Sequence, residues 1–457
     1  MQLLAFVLLS ALSAATAFTG LPWVRNSIGP ASIGSSSFDS VLQGAASDND
    51  DNSKGSNSNN ENNSLLESLR QRQLELQSDQ EERINRWKTA DCQSGVQLVL
   101  PNWVRRLDVS EYPLVACGSG RGDIYVGNLE TGDVIAIGHV EEELEEDEET
   151  EFQMAKRNEK LVRVLFNGYD GGGTLAMAFS GTLICEGRRL GGVYVWRLDP
   201  ESDRLVPQGS IPALEDQLVT AMHLDADYLW VGTLEGKLHA YSLQDELPLA
   251  LQTRPTLEWK FSEALTSLAL SPAHGCGAVA TAAGSVHLFS TDDDEDTDLG
   301  SFYPPFDSSE RKAIQAFPSS VAFIEVNKND ETSNNRSESS LLVAAGGNDG
   351  SIFLQPIELT SMGEVNTERP FSKPLQPLRP RHFGAAKCLC SPLPNILVSA
   401  GQDGGMRVWD VSESICLYQF VGYKVWMGSL WTDGKRIVSD GADNTIVVHD
   451  FTKGSEP

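Results

Sequence analysis

The residues of this chain whose types could do chemistry are seven histidines, seven cysteines and a set of acidic residues. The histidines are His139, His223, His239, His274, His287, His382 and His449. No two stand at the close spacing of zinc ligands. Cys388 and Cys390 share one face of an expected strand. Two thiols so placed chelate zinc poorly without a second pair, so they read as buried hydrophobes, with redox pairing as the sharper option. Gly171-Gly172-Gly173 follows Tyr169-Asp170 but leads into a strand rather than a helix, which makes it a turn and not a phosphate loop. No catalytic residue, cofactor site or metal site is assigned from the sequence.

Charge is distributed unevenly. Lys plus Arg number 35 against 64 Asp plus Glu, a formal charge of -29. This argues against nucleic-acid binding, which draws its affinity from a basic surface, and against adsorption to anionic membrane. Segment 141–151, beginning Glu141, Glu142 and Glu143, holds nine acids, and 292–298, beginning Asp292, Asp293 and Asp294, holds six. Both read as solvated loops or, more sharply, as docking sites for a basic partner or weak divalent-ion sites. Segment 369–387 is the opposite, with five Lys or Arg, Arg379 and Arg381 among them, between prolines. Pro374-Leu375-Gln376-Pro377 fits a polyproline II ligand, but a stiff crossing loop is the plainer reading.

Those loops need elements to hold them. Residues 3–17 form an apolar run ending in Ala15-Thr16-Ala17, too short to span a bilayer well and typical of a cleaved secretory signal over residues 1–17. Phe18 follows, and 18–42 is rich in Ser and Gly with Asp39 as its one acid. An Ala-Thr-Ala-Phe junction ahead of such a segment resembles the bipartite plastid presequence of algae with secondary plastids. It implies a plastid destination, with secretion or the endomembrane lumen as the alternative. Residues 43–63 are polar and low in complexity, completing a disordered stretch over 18–63. Ser64-Leu65-Leu66-Glu67 matches a capping box, and apolar residues up to Trp87 predict an amphipathic helix over 64–89. That helix either packs on the domain that follows or binds a partner. No later segment is long and apolar enough for stable membrane insertion.

From residue 92 onward short alternating strands repeat around a glycine turn. The copies are 114–128, 183–197, 229–242, 278–290, 342–356, 397–410 and 437–450. They align without gaps on Gly122, Gly191, Gly236, Gly284, Gly350, Gly404 and Asn444. This column asks for a left-handed backbone. Five residues further stand Gly127, Trp196, Tyr241, Phe289, Gln355, Trp409 and His449. A further alternating stretch before the unit, as at 219–225, 265–272, 387–392 and 425–431, supplies another strand.

This pattern resembles the WD40, or transducin-like, family and covers residues 92–457. The dipeptide Trp409-Asp410 carries the family signature intact, and His449-Asp450 is a near match. The resemblance implies an all-β fold, a seven-bladed WD40-like β-propeller preceded by the helix and the disordered segment. Asp349, Asp403 and Asp443 match the family's structural aspartates, which bond turn and histidine partners. The last repeat stops after three strands, so 95–100 is expected to close the ring as the outer strand of the final blade. The family further implies a non-enzymatic platform for other proteins. Two rivals stand beside it. An enzymatic or ligand-binding propeller would need convergent polar side chains with shifted pKa values at the central channel, which is not legible here. An assembly factor would bind through the acidic loops and the helix.

Overall fold

Alternation of apolar and polar residues over three to ten positions, broken by glycine turns, produces 27 strands in chain order among the described residues. A computed structural model describes residues 58–139, 173–188, 191–244, 247–291, 297–306, 316–327, 339–423, 427–441 and 444–454. Side chains are described from Ser68 onward, with the exception of Leu69 and Ser339. Both acidic segments therefore lie outside the described residues up to Thr297, and with them Glu141, Glu142, Glu143, Asp292, Asp293 and Asp294. The same is true of Asp443 and of the presequence-like N-terminus.

The strands form seven antiparallel sheets, numbered here as blades from the N-terminal side. Blade 1 is β2–β5 (Val104–Glu111, Leu114–Ser119, Ile124–Asn128, Asp133–Gly138). Blade 2 is β6–β9 (Thr174–Ser180, Leu183–Arg188, Val193–Asp199, Arg204–Ser210). Blade 3 is β10–β13, from Val219 to Lys260, and blade 4 is β14–β17, from Leu265 to Phe302. Blade 5 holds three strands, β18–β20 (Pro318–Asn327, Ser339–Gly347, Ile352–Ile357). Blade 6 is β21–β24 (Ala386–Leu393, Ile396–Gly401, Met406–Asp410, Ile415–Phe420). Blade 7 combines β25–β27 (Leu430–Thr432, Arg436–Asp440, Thr445–Asp450) with β1 (Gln93–Val99).

The first strand of each blade packs against the first strand of the next, and β25 returns to β2. The ring is thus closed. Closure uses the strand anticipated from the sequence: β1 lies outermost in blade 7, with Gln93 opposite Asp450 and Val99 opposite Thr445. No free sheet edge is left where the chain's two ends meet.

The repeated turn explains the glycine column. Gly122, Gly191, Gly236, Gly284, Gly350 and Gly404 all have φ between 66° and 99°. At Gly350 a Cβ would also run into the carbonyls of His382 and Gly384. The column of aromatic residues and stand-ins points into the packing between blades. Trp196, Tyr241, Phe289, Gln355, Trp409 and His449 are all buried.

Helix α1 spans Ser58–Thr89, starting before the expected position 64. Ser64–Glu67 therefore lies inside the helix and does not cap its start. Residues 70–82 are exposed, and docking begins at Arg83 and Ile84, with Ile84 packed against the core of blades 6 and 7. Trp87 is fully buried and stacks on Phe451 with ring centroids 3.8 Å apart. Its indole donates to the Gly434 carbonyl (3.1 Å), and the Tyr418 hydroxyl donates to the Trp87 carbonyl (2.6 Å). Lys88 pairs with Asp410 at 2.9 Å. The aspartate of the Trp-Asp dipeptide thus holds the helix end against blades 6 and 7. None of the described helices is long and apolar enough to cross a membrane.

Candidate functional site

Blade 6 carries a complete hydrogen-bonded relay between its turn and its third strand. Asp403, one residue before the turn glycine, accepts from the amides of Phe383 and Gly405 and meets His382 Nδ1 at 2.9 Å. His382 Nε2 meets Ser399 Oγ at 2.8 Å, and the Trp409 indole donates to the same oxygen at 2.9 Å. Arg407 donates to Asp403 at 3.2 Å. His382 is buried, and the partners of Asp403 hold its carboxyl at about 2 against the cost of burial. Every polar atom of this relay is committed to joining the top of β22 and β23 to the incoming loop.

Blade 7 builds the same relay from different parts. His449 occupies the tryptophan position, fully buried, and stacks on Phe420 at 3.9 Å. Its Nε2 meets the Tyr423 hydroxyl at 2.7 Å and its Nδ1 meets Ser94 Oγ at 2.6 Å. Burial pushes its pKa down to about 3, so the ring is neutral. Ser94 belongs to β1, so His449 pins the closing strand. Asp410 and Asp450 each cap the turn after the third strand, accepting from Ser412 and from Thr452 respectively. In blade 5, Asp349 accepts the amide and hydroxyl of Ser351.

Titratable groups that sequence reasoning missed lie buried on the first strands of blades 1 and 6 and on the second strand of blade 7. Asp108 on β2 accepts the amides of Phe179 and Val109, and Asp440 on β26 accepts those of Gly428 and Ser429. Desolvation raises both carboxyls to about 7. Lys387 on β21 is lowered to about 7, first by burial and then by nearby Arg106. Shifted groups do therefore exist on the first two strands of the blades, and the sequence offers no means of placing Arg106 near Lys387 and Asp440. Both carboxylates spend their oxygens on backbone amides at blade junctions. Among the described residues no group of three or more His, Cys, Asp or Glu is arranged to hold a metal ion. Cys388 and Cys390 are held as thiols, with burial raising the pKa of Cys390 to about 12 and that of Cys388 further.

The basic, proline-bearing segment has a structural role. Blade 5 lacks a regular fourth strand, and residues 372–378 run along β20 in its place. The amides of Ser372, Leu375 and Leu378 donate to the carbonyls of Pro356, Leu354 and Ile352. Three residues of the segment thus advance for two of the strand, and Pro374 and Pro377, which have no N–H, fall between the donors. Gln355, in the aromatic column, donates to the Ser372 carbonyl at 2.7 Å and holds the segment in place. With Leu378 buried and its amides spent, the Pro374–Pro377 motif serves as an internal strand substitute. Where this irregular edge meets blade 6, a cavity of about 510 Å³ opens, lined by Pro305, Ser351, Phe353, Pro377, Arg379 and Arg381.

Closed ring, glycine turns and relay together define a seven-bladed β-propeller. No family model matches the sequence. Over 60 residues the chain is 32% identical to a WD-repeat protein, the Nuclear distribution protein PAC1 of Arthroderma otae. That match spans 13% of this chain and 13% of the relative. Among solved structures, the computationally designed Ika8 protein aligns with a TM-score of 0.44 at 16% identity, covering 78% of this chain and 99% of the other.

Proposed function

We propose that this chain is a non-catalytic scaffold for protein–protein interaction built on a WD40-type propeller. The observation that carries this reading is the spending of buried polar groups on the fold: Asp403, His382, Asp440, Asp108 and His449 each have their polar atoms engaged by backbone or relay partners. A rigid disc of this kind presents loops, and binding residues concentrate in loops held by a rigid scaffold. Segments 141–151 and 292–298 are the proposed docking loops for a basic protein partner, and an assembly-factor role follows if they carry the binding. Affinity capture with the full chain, compared with a variant lacking 141–151, tests this. Specific co-purifying proteins are expected for the full chain, and their loss in the variant assigns the contact to the loop. Capture of no protein under gentle conditions overturns the scaffold reading.

The destination proposed for the chain is the plastid, resting on the Ala15-Thr16-Ala17-Phe18 junction and the acid-poor segment after it. Residues 1–42 fused to a fluorescent protein should deliver it to the plastid. Accumulation in the medium or endomembrane lumen would instead assign plain secretion.

A further inference from the structure

We propose that the cavity at the edge of blade 5 is a docking site for an acidic peptide segment of a partner protein, one apolar side chain entering the cavity while flanking carboxylates meet Arg379 and Arg381. The proposal deepens the scaffold reading and rests on it.

The cavity is a by-product of the missing fourth strand. The chain follows β20 up to Leu378 and then leaves it, since Arg379 pairs through its backbone with Ile415 of blade 6. Between the Leu378 amide on Ile352 and the His382 amide on Gly350 the segment bows away from the chain, and Ser351 and Phe353 line the gap that this leaves. Phe306 closes one side, packing edge-on against Phe353 with centroids 5.1 Å apart. The walls are thus Phe353, Pro305 and Pro377, and among the described residues the charged ones lining it are the two arginines. The chain carries -29 overall, so two cations on one cavity mark a local inversion of its charge. Arg379 is exposed, and its guanidinium makes no hydrogen bond or ion pair with the described residues. Asp349 accepts the amide and hydroxyl of Ser351, and Arg381, half-buried, is already engaged within the fold, so Arg379 is the more open of the two cations.

Volume and surroundings argue for a peptide. About 510 Å³ falls in the range of ligand pockets. Exposed apolar side chains stand near it in the chain: Tyr303, Leu375 and Phe383 are each two residues from a lining residue and are 69%, 40% and 96% exposed. A ligand confined to the cavity reaches none of these, since they are not among its lining residues, whereas an extended peptide has the length to meet residues beside it. Aromatic residues with arginine are the composition of binding hot spots. Arginine pairs with carboxylates through two parallel hydrogen bonds.

The test measures fluorescence anisotropy of labelled synthetic peptides with the full chain. Each peptide carries glutamates on both sides of a central Leu, Phe or Trp, and its counterpart carries glutamines. The acidic peptides should bind at least about tenfold more tightly than the glutamine ones, with affinity falling as salt rises. Arg379→Glu alone should weaken that preference with the melting temperature unchanged, and Arg379→Glu with Arg381→Glu should abolish it, while Arg204→Glu on blade 2 leaves it intact. Equal affinity for both peptide sets, or full binding by the double variant, overturns the proposal. So does self-association of the chain that the double variant abolishes, because that assigns the surface to a second copy. If affinity capture succeeds while the peptides fail, the scaffold reading stands and the cavity reading falls. If capture fails, the scaffold reading falls whatever the peptides do.

Discussion

Blade 6 and blade 1 have the same four-stranded frame and opposite interiors. In blade 6 a buried chain of Asp403, His382, Ser399 and Trp409 ties the turn to the third strand. In blade 1 the tryptophan position is Gly127, and the side chain of Leu98 from β1 of blade 7 occupies the space its Cβ would enter. The acid has moved as well. Blade 1 has Arg121 where blade 6 has Asp403, but Asp123, just after the turn glycine, accepts from Asn102 at 2.7 Å and meets His139 at 2.8 Å. The left-handed glycine and the pairing of strands are what the blade requires. The groups that fill the space beside them can be polar and local, or apolar and borrowed from the neighbour.

The closing strand is where the two solutions meet, so its loss should be the largest effect. Deleting residues 92–101 removes Ser94, the partner of His449, and Leu98, the filler of blade 1. A buried leucine is worth about 2–5 kcal/mol and an orphaned buried polar group about 1–3 kcal/mol, so a loss of roughly 3–8 kcal/mol is expected. Thermal or urea unfolding reads it. An unchanged melt would mean that the C-terminal blade does not depend on β1.

The next effect separates the blades. Asp403→Ala strands His382 and two backbone amides in a buried site and should cost about 1–3 kcal/mol. Asp123→Ala should cost less, about 1 kcal/mol, because its side chain is more exposed (16% against 9%) and so is that of His139 (55% against 0% for His382). Equal losses in urea unfolding would erase the distinction between a buried relay and a surface cap.

How far this was readable from sequence follows from the same contrast. The glycine turns, the seven units and the closing strand were legible because each follows from a local rule repeated at fixed spacing. Trp409-Asp410 and Asp403 could be matched for the same reason. Asp123 was not, since it stands two places from the aligned column. Leu98 was not, since the residue it replaces is about 30 positions away in sequence and in another blade. Arg106, Lys387 and Asp440 come together only when the ring closes. The cavity depends on a strand that fails to form, and the period-three spacing that replaces it resembles a loop in sequence.

The borrowed filling of blade 1 predicts a coupling. Gly127→Ala places a methyl group against Leu98 and should cost about 1–3 kcal/mol through overpacking. In a Leu98→Ala background the same change has room, so the double variant should be more stable than the sum of the singles by about 1 kcal/mol. Strict additivity in the cycle would show that Leu98 does not fill the site.

The smallest effect is a pH dependence that marks the polar solution of blade 7. Burial holds His449 at about 3 against an ordinary 6.5, so the fold stabilises the neutral ring. Its contribution is full above 6.5 and is lost progressively as the pH falls from there toward 3. Asp108 and Asp440, raised to about 7, act in the opposite sense, favouring the fold below their unfolded pKa and losing that contribution as the pH rises through 7. The wild-type profile alone therefore mixes the two signs. The difference between wild type and His449→Phe isolates the histidine: between about pH 7.5 and about pH 5.5 the wild type should lose about 1 kcal/mol more than the variant. Parallel profiles in urea unfolding would show that His449 is no harder to protonate in the fold than in the unfolded chain.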